Sequence, residues 1–305
     1  MTKLDTDDAI FAIAPTWGGR ALALGKFVLF VLVMAFIIFG VQVGLLLLMH
    51  LKPQDIQKHA TEPNFMLMNE VCLAAGGVFA TLILAAVFRE PIGKFGFGLR
   101  QGAGKRLREF GWGVVAGFVL LTGLLAGIAA LGGYDFGKIT DTPEQALRFG
   151  ALYALLFGLV ALAEETMVRG YALVQLSRAM TFWPAAILLS VLFGAMHISN
   201  AGETPVGVFS AGAVGLVLAY SFYRSGSLMW ALGFHAAWDY AQSFIWGVAD
   251  SGVVTPGTLF TPAFHGPAWL TGGSVGPEAS WLLLPVLAIS AAVVHFTLRR
   301  PSRGF

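Results

Sequence analysis

The sequence predicts an all-α polytopic membrane protein with about eight transmembrane helices, and three observations support this fold class. The 305 residues are 57% hydrophobic and only 12% charged, whereas an ordinary soluble domain carries about 25% charged residues. Apolar runs of the length that crosses a bilayer, about 20 residues, recur along the whole chain. Basic residues collect in every second segment that connects these runs, and hence on one side of the membrane, as the positive-inside rule expects. The same composition excludes intrinsic disorder.

Eight apolar runs are predicted to span the membrane. The first is too long for a signal-peptide core and is therefore predicted to be retained. Thr142-Pro143-Glu144-Gln145 predicts a helix start with a capping box, and Thr204-Pro205 predicts another. The predicted spans are 27–49, 65–88, 110–131, 146–168, 182–198, 205–223, 227–249 and 279–298.

The basic residues predict the orientation of these spans. With both termini cytoplasmic, the inner segments hold 15 of the 19 Lys and Arg residues. They leave Lys52, Lys58, Lys138 and Arg148 outside. Because the 250–278 segment contains no Lys or Arg, it is predicted to be an extracytoplasmic loop. Compact size and the lack of eukaryotic sorting signals favour a multi-pass protein of the bacterial inner membrane.

The predicted organisation has five parts. A cytoplasmic segment, 1–26, precedes the N-terminal transmembrane helices, 27–142, which enclose a basic cytoplasmic loop. A helical core and the extracytoplasmic loop follow, and the last helix ends in a basic tail. The basic loop is 89–109, the core 143–249, the extracytoplasmic loop 250–278, and the last helix with its tail 279–305.

Several function classes are excluded at this stage. A net charge of +2 provides no basic field for nucleic acid. The spacing of Gly96, Gly98 and Gly102 is not that of a dinucleotide-binding loop, so no nucleotide is expected. The single cysteine, Cys72, excludes an internal disulfide and a paired-cysteine metal site.

Ionisable side chains inside apolar runs are the candidate functional residues, because each costs about 2.5–3.5 kcal/mol on insertion scales. Six of them fall between positions 164 and 239, and a seventh, Glu70, is predicted to lie at the outer interface at the start of the second span. The six are Glu164, Glu165, Arg169, His197, His235 and Asp239.

Spacing assigns partners to some of these residues. Glu165 and Arg169 are four residues apart and can pair on one helix face, whereas Glu164 points about 100° away. His235 and Asp239 are also four apart, so the aspartate can orient the imidazole. Counted from the turn at 179–181, Glu164 and His197 are predicted at the same depth, while the depth of His235 is left open.

Three motifs, Glu164-Glu165-x-x-x-Arg169, Phe193-x-x-x-His197 and His235-x-x-x-Asp239, resemble the CPBP family of intramembrane proteases. This family includes the type II CAAX-prenyl endopeptidases and the bacteriocin-immunity, or abortive-infection, proteins. The resemblance covers about 145–245. It implies an endopeptidase that cleaves membrane-associated, possibly lipidated CAAX-type proteins, with membrane lipids and such a substrate as partners.

The resemblance also implies roles for the residues. Glu164 would activate water with His197 beside it, and Glu165 with Arg169 would hold the architecture. His235 and position 239 would stabilise the oxyanion or complete the water site. Position 239 is aspartate here, where the family commonly has asparagine.

Alternatives remain open from the residues. Glu164, His197 and His235 could hold Zn²⁺ with one open position, but no His-Glu-x-x-His motif is present, so a metal-free glutamate mechanism is preferred. The same polar residues could serve a proton-coupled transporter, although such carriers tend to carry broken helices in both halves. A non-catalytic membrane scaffold or immunity factor is the third hypothesis for the function.

Overall fold

The structure, a computed structural model, describes residues 10–50, 62–98, 102–139, 141–200 and 202–298. The predicted cytoplasmic segment 1–26 and the basic loop 89–109 are therefore described only in part. The basic tail after 298, Lys52 and Lys58 lie outside the described residues.

Helices occupy each of the eight predicted apolar runs. They are α1 (Trp17–Leu48), α2 (Pro63–Val87), α3 (Ala103–Ala130), α4 (Pro143–Met180), α5 (Phe182–Met196), α6 (Pro205–Ser225), α7 (Met229–Asp239) and α8 (Leu283–Thr297). Two short strands, β1 (Tyr134–Ile139) and β2 (Phe260–Phe264), form the sheet of the described chain.

Six helices of the described chain are long and apolar enough to cross a membrane. They are α1 to α4, α5 counted with its final turn to Ser199, and α6. The predicted all-α, polytopic membrane fold is thus confirmed. The last helix, α8, has only 15 residues. The count of eight crossings and the cytoplasmic placement of both termini stay predictions.

Helix α4 is longer than the predicted span of 146–168. It runs from Pro143 to Met180, and a wide π turn at Thr166–Gly170 interrupts its regular spacing. The part between the predicted span and the predicted turn at 179–181 is therefore helix, as the depth comparison of Glu164 and His197 requires. It is also buried, since Tyr171 packs between Phe30 and Phe95 with ring centroids 5.2 and 4.6 Å away.

The predicted start of α4 is confirmed in detail. The backbone N–H of Gln145 donates to the Thr142 hydroxyl at 3.3 Å, and the backbone N–H of Thr142 donates to the Gln145 side chain at 3.1 Å. The first helical residue is Pro143, which needs no hydrogen bond there. At α6, the Thr204 hydroxyl likewise accepts from Gly207 at 3.2 Å.

Glycines let α3 and α7 approach closely. A Cβ added at Gly113 would overlap the carbonyl oxygen of Trp230, and one at Gly233 would overlap that of Phe110. Small residues at such crossings are how membrane helices pack without a hydrophobic driving force. This contact holds α7, the carrier of His235, against α3.

The 250–278 segment, predicted only as an extracytoplasmic loop, is folded onto the helices. Strand β2 lies within it and pairs antiparallel with β1, with Tyr134 opposite Phe264. Further on, the backbone N–H of Gly252 donates to Val275 at 3.0 Å. The segment thereby reaches the cavity described next.

Candidate active site

A cavity of about 230 Å³ lies between the helices that carry the three motifs. Its wall is partly apolar, with Phe157, Phe193 and Phe234 among the lining residues. Seven titratable side chains also line it: Glu70, Glu164, His197, His235, Asp239, Asp250 and Glu278.

His235 is the point where the first and third motifs meet. Its Nδ1 lies 3.0 Å from Glu165 Oε1, and its Nε2 lies 3.5 Å from both Glu164 Oε2 and Asp239 Oδ2. Because an ionised carboxylate only accepts hydrogen bonds, Nδ1 carries the hydrogen and donates a hydrogen bond to Glu165 Oε1. The other ring nitrogen then faces two carboxyl groups inside the cavity. Helix α7 therefore brings His235 to the level of Glu164, a depth that sequence spacing left open.

Glu165 and Arg169 form the buried ion pair that their spacing predicts. Arg169 Nη1 donates to Glu165 Oε1 at 3.0 Å, and the two side chains are only 1% and 0% exposed. The guanidinium also lies 4.1 Å from the centre of the Phe193 ring, a favourable cation–π position. Glu165 Oε1 thus receives two donors, Arg169 and His235, and it fixes the orientation of the imidazole.

Glu164 has a different environment from its neighbour. It lines the cavity and its side chain is 21% exposed, against 0% for Glu165. Glu165 is thus paired with Arg169, whereas Glu164 faces the cavity and His235. Such a carboxylate can take a proton from a water held beside it.

His197 ends α5 and lines the same cavity. Its Nδ1 donates to the carbonyl oxygen of Phe193 at 2.8 Å, and its ring packs edge-on against the Phe193 ring. Because a carbonyl oxygen only accepts, Nδ1 carries a hydrogen, and Nε2 is the acceptor whenever the ring is neutral. Phe193 therefore supports both Arg169 and His197, which explains the aromatic residue at the start of the second motif.

Three acidic residues of the cavity were not among the predicted site residues. Glu70, predicted at the interface, lines the cavity from α2 and accepts a hydrogen bond from Asn69 at 3.1 Å. The other two, Asp250 and Glu278, come from the segment predicted as a loop. Glu70 could have been found by its place in an apolar run, whereas nothing in the sequence around Asp250 or Glu278 marks them.

Asp250 is a buried acid with an altered titration. Burial raises the pKa of Asp250 well above its ordinary value, and the negative charges of Asp239 and Glu278 raise it further. The Ser243 hydroxyl donates to it at 3.1 Å. This acid therefore holds its proton to a higher pH than a solvent-exposed aspartate.

The suggested zinc ligands Glu164, His197 and His235 all line the cavity. Within the described ranges, no group of three or more His, Cys, Asp or Glu side chains is arranged to hold a metal ion. Zinc binding by this set stays a prediction.

Fold and site together define a polytopic membrane protein whose helices enclose a glutamate and histidine site. Residues 146–241, about a third of the chain, match the model of the family described as Rce1-like, type II CAAX prenyl endopeptidase. The match spans all three motifs and confirms the resemblance to the CPBP and CAAX protease family. No curated protein and no solved structure is similar enough to this chain to count as a match.

Proposed function

We propose that this protein is an intramembrane endopeptidase that hydrolyses peptide bonds of membrane-associated, CAAX-type substrates with a water activated by Glu164. The observation that carries the proposal is the placement of His235 Nε2 at 3.5 Å from both Glu164 and Asp239, with Nδ1 anchored on Glu165. The family match supports the reaction class.

The reaction begins with water held between Glu164 and the substrate carbonyl. Glu164 accepts one proton from that water as its oxygen attacks the carbonyl carbon. When its Nε2 carries a proton, His235 can donate a hydrogen bond to the negative charge that develops on the carbonyl oxygen. Such stabilisation acts strongly where bulk water is excluded.

Collapse of the tetrahedral intermediate completes the hydrolysis. The proton on Glu164 passes to the leaving nitrogen, with His197 Nε2 placed in the same cavity to share it, and the C–N bond breaks. The products are a new carboxyl group, which keeps the water oxygen, and a new amine. Glu165 and Arg169 touch no substrate in this scheme and hold the imidazole in position.

The decisive experiment compares wild type with Glu164→Gln in mild detergent. Prenylated CAAX peptides and their unprenylated counterparts are incubated with each protein, and mass spectrometry scores new termini. We expect cleavage by wild type and a loss of at least 100-fold in the variant, the magnitude typical of general base removal. A zinc chelator is expected to leave the wild-type rate unchanged.

Glu144→Gln is the matched control, because Glu144 lies on the same helix and is exposed at its first turn. It should cleave like wild type. Equal cleavage by wild type and Glu164→Gln would contradict the proposed role of Glu164. Absence of cleavage of every peptide by a folded wild type would instead favour the scaffold or the proton-coupled transporter.

A further inference from the structure

Glu278 is a cavity-lining acid that the proposed mechanism does not use. It lies in the short helical turn Pro277–Ala279, outside the family match. Both carboxylate oxygens accept hydrogen bonds from residues of the cavity wall. Trp238 Nε1 donates to Oε1 at 3.1 Å, and the backbone N–H and hydroxyl of Ser251 donate to Oε2, each at 3.0 Å.

Ser251, which donates to Glu278, lies in a turn with a strained backbone. Asp250 and Val253 exchange two backbone hydrogen bonds of 2.9 and 2.8 Å. Between them, Ser251 has φ 44° and Gly252 has φ 82°. Glycine adopts such angles freely, but a residue with a Cβ rarely does. The two bonds from Ser251 to Glu278 offset this strain and hold the turn against the cavity.

The same serine is also tied to the second motif. Asn200 Nδ2 donates to the Ser251 carbonyl oxygen at 3.1 Å. Asn200 follows the single helical turn His197–Ser199 that ends α5, and it lines the cavity. Ser251 is therefore held from two sides, by Glu278 and by Asn200.

These contacts join the two histidine motifs by a continuous chain of hydrogen bonds. The chain runs from Trp238, three residues after His235, through Glu278 and Ser251 to Asn200, three residues after His197. Its members are far apart in sequence, so only the folded loop brings them together. Strained backbone held in place beside a catalytic cavity is a recognised sign of a functional constraint.

We propose that Glu278 is a positioning residue of this site. Through Trp238 and Ser251 it sets the separation between the His197 and His235 walls of the cavity. The inference rests on the proposed peptidase function, and it makes the 250–278 segment part of the active-site wall. Residues 146–241, the part matched by the family, would then not form a complete site by themselves.

Glu278→Gln tests this role with little change in side-chain size. The amide keeps one acceptor oxygen, so either the Trp238 bond or the Ser251 bonds are lost. We expect kcat to fall about 10- to 100-fold, the loss typical when a group that orients reacting residues is removed. KM should change little, because Glu278 contacts no substrate in the proposed scheme. Glu144→Gln again serves as the control.

A double-mutant cycle separates positioning from simple destabilisation. Trp238→Phe removes the donor to Glu278 Oε1 and keeps an aromatic ring. If the two residues act through one contact, the double variant should lose little more than the worse single variant. Fully multiplicative losses in kcat would contradict a shared role.

Hydrogen exchange provides a readout that does not depend on cleavage. In Glu278→Gln, amide exchange should rise in peptides covering 197–200 and 250–253, and stay unchanged in α1 and α2. A uniform rise would show a loss of general stability and overturn the proposal, as would unchanged exchange together with unchanged kcat. A local rise in a protein that cleaves nothing would uphold the positioning while refuting the peptidase function.

Ser251→Gly keeps the test available if Glu278→Gln does not fold. Glycine relieves the strain at φ 44° and retains the backbone N–H that donates to Glu278. Because this variant loses only the hydroxyl bond to Glu278, we expect its kcat to fall less than that of the double variant Ser251→Gly with Trp238→Phe. The double variant should also show the local rise in exchange. A Ser251→Gly and Trp238→Phe double variant with wild-type kcat and exchange would overturn the proposal.

Discussion

At the residue scale, the orientation of His235 depends on a buried ion pair, Glu165 with Arg169, that does not line the cavity. Glu165 is fully buried and accepts hydrogen bonds from Arg169 and His235 through a single oxygen, Oε1, at 3.0 Å each. A buried carboxylate is tolerated only when it is paired. Arg169 therefore acts on the site through Glu165, since its hydrogen bond holds the carboxylate that in turn holds the imidazole.

Arg169→Ala should strongly destabilise the protein. It leaves Glu165 as an unpaired buried charge, at a cost of about 3–5 kcal/mol. Thermal unfolding in detergent measures this effect. Adding Glu165→Gln to Arg169→Ala should recover part of the stability, because neither charge then remains, while cleavage stays low since His235 has lost its anchor. A double variant less stable than Arg169→Ala would contradict this explanation.

At the scale of single elements, the helices that carry the first and third motifs share an irregularity. A π turn follows Glu165 in α4 at Thr166–Gly170, and another follows Asp239 after α7 at Tyr240–Ile245. Such turns are rare and occur often at functional sites. Here they change the helical phase directly after Glu165 and directly after Asp239, so the residues before and after each turn can face different neighbours.

The close contact of α3 and α7 is a second feature of this scale. It places α7, and with it His235, against a helix outside the family match. A side chain larger than hydrogen at the crossing would push α7 away from the cavity. Two glycines of α3 allow this to be tested with a control on the same helix.

Gly113→Ala should lower stability by about 1–3 kcal/mol, because its Cβ would overlap the Trp230 carbonyl oxygen. Its cleavage rate should fall as well. Gly111→Ala, two residues earlier, meets nothing within 4 Å and should unfold like wild type or slightly later. Paired thermal melts and cleavage assays measure both. Equal behaviour of the two variants would show that the α3 and α7 contact does not position the site.

At the scale of the whole molecule, residues from inside and from outside the family match line the cavity. Residues 146–241 supply Glu164, His197, His235 and Asp239. Glu70 comes from α2, and Asp250 and Glu278 come from the segment before α8. The parts of the chain beyond the match therefore complete the cavity wall.

The predicted orientation of the whole bundle can be tested at the two ends of α3. Arg108 is exposed near its start, and Lys138 is exposed in β1 beyond its end. The native Cys72 is buried, and a Cys72→Ala background removes it. In right-side-out vesicles, Lys138→Cys should react with a membrane-impermeant maleimide, and Arg108→Cys should react only after permeabilisation. The reverse pattern would overturn the predicted cytoplasmic N-terminus.

Much of this architecture is readable from the order of the residues. Hydropathy places the helices, because a bilayer admits only backbone whose hydrogen bonds are satisfied internally. Helix periodicity pairs Glu165 with Arg169, because residues four apart share a face. The cost of burying charge marks six of the site residues, since ionisable groups are rare in apolar runs without a use.

What periodicity could not supply are the contacts between elements. His235 meets Glu164 and Glu165 only because α3 and α7 pack through glycine, a contact between distant segments. The continuation of α4 through its π turn depends on the burial of Tyr171 among aromatic rings.

The path of the 250–278 segment is also decided by the tertiary structure. Asp250 and Glu278 reach the cavity because this segment folds back on the helices, where tertiary hydrogen bonds such as those of Ser251 hold it. Local sequence carries no signal for such contacts, because their partners lie tens of residues away.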